Sequence, residues 1–161
     1  MSWIRKKRKY TKPRKPFDKI RIEEENELVE KYGLKNKKEI WKAESAIERI
    51  RKQAKKLITA DQKEQAKLTE RLRKIGFKVE TIADILSLNK EDWLKRRLQS
   101  ILIQKALAKP KQARQLITHK HVSISGKIIN IPSAIIGIEE ENSIQILKNN
   151  KVKKTEILEN G

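Results

Sequence analysis

Residues 95–132 read KRRLQSILIQKALAKPKQARQLITHKHVSISGKIINIP. This stretch decides the fold, because its hydrophobic period changes partway along. Leu98, Ile101 and Leu102 recur at helical spacing, and the stem of Lys105 can extend their stripe. That helix is expected to end near Leu107. Pro110 stands where the first turn of a helix tolerates a missing N–H. Ala113, Leu116 and Ile117 form the apolar stripe of the helix it opens. Then the period falls to two: Val122 and Ile124 alternate with Ser123 and Ser125. Ser125-Gly126 suits a two-residue hairpin turn. Residues 127–131 return as the partner strand, Pro132 ends it, and Ile144, Ile146 and Leu147 supply a third strand.

Upstream the signals are helical. Residues 18–32 form a first helix with Ile22, Leu28, Val29 and Tyr32 inward, and Gly33-Leu34 is its stop. Asn36 with Glu39 reads as a capping box for a second helix over residues 37–58. Ile40, Ala43, Ile47, Ile50, Ala54 and Leu57 make its apolar seam, and Lys38, Lys42, Arg49, Lys52 and Lys56 lie off that seam. Asp61 with Glu64, Thr81 with Asp84 and Asn89 with Asp92 start three further helices. Trp41 and Trp93 flank apolar stripes and read as core. Residues 1–16 carry Arg5, Lys6, Lys7, Arg8, Lys9, Lys12, Arg14 and Lys15 and no acid, with Pro13 and Pro16 against a helix. They read as an arm, disordered alone and laid along phosphates when bound.

The 161 residues carry 40 Lys and Arg against 21 Asp and Glu, a formal charge of +19. Self-repulsion on that scale favours a polyanionic partner: nucleic acid first, an anionic membrane surface second. The second helix lacks the aromatic-rich apolar face of a membrane-surface helix. There is no cysteine, so disulfides and thiolate metal sites are excluded. No apolar run is long enough to span a bilayer and the N-terminus is charged, so a cytoplasmic protein is expected. No phosphate loop, nucleophile elbow or metal-spaced cluster is present. His119 and His121, two apart, suit RNA stacking or hydrogen bonding, or stabilisation of their corner, rather than a metal. Glu24 with Glu25 and Glu140 with Glu141 read as solvated acids.

The string RRLQSILIQKALAKPKQARQLITHKHVSISGK resembles the RNA-binding module first named after small-subunit ribosomal protein S-four. The elements that carry the resemblance are Arg97-Leu98, Ala113-Arg114-Gln115-Leu116-Ile117, Thr118-His119-Lys120-His121 and the strand–turn–strand from Val122 to Lys127. The stretch EEENELVEKYGLKNKKEIWK, residues 23–42, is similar to the helical N-terminal part of that family's archaeal and eukaryotic branch. The resemblance implies an α+β protein: a helical region followed by a small two-helix and β-hairpin module of the S-four, or alpha-L, type. It implies a non-catalytic constituent of the small ribosomal subunit that binds small-subunit ribosomal RNA directly, early in assembly and beside the mRNA entry path. Its partners would be that RNA and neighbouring small-subunit proteins, with no cofactor, membrane or small-molecule substrate. An RNA-modifying or tRNA-handling protein with the same module is the alternative. Two positions depart from the family pattern: Pro110 stands where Ser or Thr is usual, and Lys120 where Gly is common.

The expected organisation is an arm over residues 1–16, a helical RNA-binding domain over 17–89, the module over 90–148 and a tail over 149–161. The expected RNA-contacting residues are the eight arm cations; Lys42, Arg49, Lys52 and Lys56 of the second helix; and, in the module, Arg96, Arg97, Lys109, Lys111, Gln112, Arg114, Gln115, His119, Lys120, His121 and Lys127.

Overall fold

A computed structural model describes residues 9–147. Trp3, Arg5, Lys6, Lys7, Arg8 and the tail over 149–161 lie outside the described residues. The order is α1 (Lys19–Tyr32), α2 (Lys38–Leu57), α3 (Gln62–Ile75), α4 (Ile82–Ser87), α5 (Lys90–Lys95), α6 (Leu98–Gln104), α7 (Pro110–Thr118), β1 (Val122–Ile124), β2 (Lys127–Ile128), α8 (Ile138–Glu141) and β3 (Ile144–Ile146). The fold is α+β, with the helical region first. No helix among the described residues is long and apolar enough to cross a membrane.

Three apolar clusters hold these elements. Ile47 and Ala54 of α2 pack with Leu68 and Leu72 of α3, Ile85 of α4, and Phe77 and Val79 of the intervening loop. Leu28, Tyr32 and Leu34 pack with Ile40 and Ala43 of α2 and Leu94 of α5. Leu98, Ile101 and Leu102 of α6 pack with Ala113 and Ile117 of α7, Val122 and Ile124 of β1, and Ile136. The α2 seam thus serves two cores, which explains its length. Helix α5 joins the helical core through Leu94, although the expected boundary at Asn89 puts it with the module.

Strand β1 lies at the centre of the sheet, in the order β2-β1-β3, antiparallel to both neighbours. Ser125 and Gly126 make the turn with φ of 48° and 80°, as a hairpin with two left-handed central residues requires. The partner strand is shorter than expected. Chain after residue 131 turns back to cap α6: Ala134 O accepts from Leu98 N–H at 2.8 Å, satisfying a donor at the helix start. Ser123 is buried with its neighbours, because the short strand is covered on both faces.

Local signals differ from expectation at five further points. Helix α6 stops at Gln104, not near Leu107. Ala106 takes φ 54° there, and Leu107 N–H reaches back to Leu102 O at 3.0 Å. Lys105 is exposed, so its stem does not extend the core stripe. Asn36 and Glu39 form no side-chain box at α2; Glu39 Oε1 accepts instead from Lys35 N–H at 3.2 Å. Asp61 makes no side-chain cap at α3, whereas Thr81 and Asp84 form a reciprocal box at α4. Glu25 is not solvated. It is 3% exposed, and Arg21 Nη1 at 2.6 Å, Trp41 Nε1 at 2.9 Å and Lys37 Nζ at 3.5 Å surround its carboxylate. Two hydrogen bonds to Oε1 and the ammonium of Lys37 beside Oε2 offset the cost of burying that charge.

Trp41 and Trp93 are half-buried rather than fully core. Trp93 stacks on Phe77 with centroids 6.0 Å apart. Trp41 has Tyr10 on its outer side, also at 6.0 Å.

Candidate nucleic-acid interface

The chain at residues 9–18 has neither helix nor strand, as its prolines dictate, yet it is tied down. Thr11 N–H donates to Ser45 Oγ of α2 at 3.2 Å, and Tyr10 lies against Trp41. This part of the arm is therefore docked before any ligand arrives. Lys9, Lys12, Arg14 and Lys15 are exposed along it. Ser45 sits on the same side of α2 as Lys38, Lys42, Arg49, Lys52 and Lys56, which are all exposed and follow one stripe at helical spacing. The arm and the basic side of α2 form one cationic region.

Helix α7 begins at Pro110, with Lys109 at the cap position and Gln112 Oε1 accepting from Lys109 N–H at 3.4 Å. Lys109, Lys111, Gln112 and Gln115 are exposed. At its other end His121 N–H donates to Leu116 O at 2.9 Å and Lys120 N–H to Ile117 O at 3.0 Å. That double closure needs a left-handed residue, and Lys120 supplies it with φ 64°. A non-glycine residue is strained there. The turn leaves His119 and Lys120 exposed and His121 half-buried, with Lys127 exposed in the neighbouring hairpin.

Two of the expected cations point inward. Arg97 is 3% exposed, and its guanidinium donates to Glu39 Oε2 of α2. Arg96 Nη1 binds Glu141 Oε2 at 3.0 Å and its Nη2 donates to Ile136 O at 2.9 Å. Arg96 braces the module from within and Arg97 ties it to α2, so neither belongs to the exposed cationic surface. Arg114 is intermediate. Its Nη2 lies 3.0 Å from Glu39 Oε1, and its Nη1 contacts Gln99 Oε1 at 3.4 Å.

Glu39 thus clamps two arginines of the module onto α2. Burial pushes its carboxyl upward, but the hydrogen bonds and charges of Arg97 and Arg114 outweigh this and hold it below the ordinary 4.5. Sequence reasoning assigned Glu39 to a cap, because its partners lie far away along the chain. It also gave no role to Gln99, which is buried and whose amide donates to Gly33 O at 2.8 Å and Pro110 O at 3.0 Å. Beside the clamp a cleft of about 310 Å³ opens, lined by Lys35, Lys38, Lys42 and Arg114 among others. With Glu39 already paired, the cations around this cleft are in excess. Its chemistry suits a phosphate. Among the described residues no group of His, Asp and Glu converges as a metal site would.

The S4 domain family matches residues 96–142, a span that takes in α6, α7 and the hairpin. Small ribosomal subunit protein uS4 of Thermoplasma acidophilum is 43% identical over 155 residues, covering 90% of this chain and 78% of its own length. The uS4 protein of Methanococcus aeolicus is 44% identical over 148 residues, 87% of this chain and 84% of the relative. That of Methanococcus maripaludis is 42% identical over 150 residues, with 88% and 84% covered. Because the identity runs through the helical region as well as the module, it is a likeness of whole proteins and not of a shared module alone: the chain belongs to the uS4 family of small ribosomal subunit proteins.

Proposed function

We propose that this chain is a structural protein of the small ribosomal subunit that binds the subunit's RNA directly and supports its assembly in the cytoplasm, without catalysing a reaction. One observation carries the reading. Exposed cations come from three separate places on this uS4-family chain: the docked arm, the basic stripe of α2, and the α7–hairpin corner with Lys109, Lys111, Lys120 and Lys127. Such a surface neutralises phosphates and releases counterions, while the α7 corner reads RNA shape. Arg114 and the cleft beside Glu39 join the two parts into one surface.

The reading is favoured over an RNA-modifying enzyme with the same module, because the relatives matched across both parts are ribosomal proteins. Binding of the full chain to small-subunit ribosomal RNA across a salt series tests it. With about six to ten phosphate contacts, affinity should fall by about three to five orders of magnitude between about 50 and 200 mM salt. A salt-independent affinity, or equal preference for anionic vesicles, would refute it.

A further inference from the structure

A second concavity lies on the module, away from the cleft beside Glu39, and its chemistry is different. It is an open hollow of about 380 Å³, and its walls include Leu107, Leu116, Gln112, Gln115, His119 and His121. No Lys, Arg, Asp or Glu lines it. No lysine or arginine charge is supplied to a phosphate there, whereas the imidazole planes and the amides suit a flat, uncharged, hydrogen-bonding group.

Leu107 is 45% exposed and presents apolar surface to the hollow. It is left there because α6 closes early through Ala106 at φ 54°. The two imidazoles reach the same hollow because Lys120, left-handed between them, reverses the chain. Two strained non-glycine residues, Ala106 and Lys120, therefore flank one hollow. Among the described residues the Gln115 amide and both imidazoles make no hydrogen bond within the chain, so they are available to a ligand. Lys109, Lys111 and Lys120 stand exposed around it without entering it.

We propose that this hollow receives one unpaired nucleobase of the bound RNA. The base stacks on imidazole and leucine surface, its edge meets the Gln112 and Gln115 amides, and the surrounding lysines hold the phosphates on either side. This is how single-stranded bases are recognised generally: planar side chains for the face, amides for the edge. The volume falls at the small end of the roughly 300–1,000 Å³ typical of small-ligand sites. The inference rests on the RNA-binding reading above and names which part of the RNA enters which part of the module.

The test uses the full chain and two labelled decamers of equal charge, decaadenylate and an abasic ribose–phosphate strand, with binding followed by fluorescence anisotropy. The wild type should bind decaadenylate about tenfold more tightly, the size of one base stack. Gln115→Ala and His121→Ala should bring that ratio close to one while affinity for the abasic strand stays unchanged. Lys127→Ala should weaken both strands alike and keep the ratio. Gln115 is exposed, so Gln115→Ala reports even if His121→Ala loses its helical signal. Equal affinity of the wild type for both strands, or a ratio that survives Gln115→Ala, would overturn the nucleobase site and leave the RNA-binding reading standing. Failure to bind either strand or small-subunit ribosomal RNA would overturn both.

Discussion

Oε1 of Glu39 lies 3.0 Å from Nη2 of Arg114, although the two are 75 residues apart. The other carboxylate oxygen takes Arg97. One acid on α2 therefore holds two arginines of the module, and Arg97 Nε and Nη1 are buried with no other partner.

Removing the charge should be expensive. Glu39→Gln leaves two guanidiniums facing each other, one of them buried. We expect a loss of about 2–3 kcal/mol at neutral pH, the lower end for a buried pair because Arg114 keeps some solvent contact. The folded carboxyl titrates below its ordinary 4.5. Its contribution is thus complete above that value and disappears as pH falls through the folded pKa. Urea unfolding over a pH series from 7 downward checks this: the gap between wild type and Glu39→Gln should be wide and constant above 4.5 and should narrow steadily as the pH falls below it.

Gly33→Ala should destabilise through two effects at one atom. Gly33 caps α1 at φ 59°, where a side chain costs about 1 kcal/mol. Its added Cβ would also come within 2.8 Å of Pro110, and overpacking of this kind costs a further 1–3 kcal/mol or so. We expect about 2–4 kcal/mol in chemical denaturation. A loss below 1 kcal/mol would mean that α1 and α7 are not held in contact.

Lys120→Gly has the opposite sign for stability. Relief of the left-handed strain, less the entropy of a more flexible unfolded chain, should raise stability by about 0.5–1 kcal/mol. The same change removes an exposed cation from the α7 corner and should weaken RNA binding. A thermal melt and an RNA titration of one variant check both directions.

Lys111→Ala and Lys127→Ala should leave stability within about 0.5 kcal/mol, because both side chains are exposed. Each should lower the slope of log affinity against log salt by about one. Arg97→Met should instead destabilise the fold with little change in that slope, since its guanidinium is committed to Glu39. A reduced slope for Arg97→Met would place that arginine on the RNA.

The α2 seam, the Gly33 stop, the Thr81–Asp84 box, Pro110 at the start of α7 and the Ser125-Gly126 turn were all legible in the chain. Each depends on residues within a turn or two of one another, where spacing and backbone preference decide. Net charge and the motif order from Arg97 to Lys127 likewise pointed to an RNA-binding member of the S-four group. The direction each charge faces was not legible. Arg96, Arg97, Glu25 and Glu39 have the composition of surface residues, and only tertiary contacts cover them: Arg97 and Glu39 where the module meets α2, Glu25 where α1 meets α2, and Arg96 against Glu141 and Ile136. The sequence by itself thus determined every element but the short α8, their order and the kind of partner expected. The tertiary structure alone decided which cations remain available to that partner, because an ion pair spanning 58 or 75 residues exists only once the helices that carry it have met.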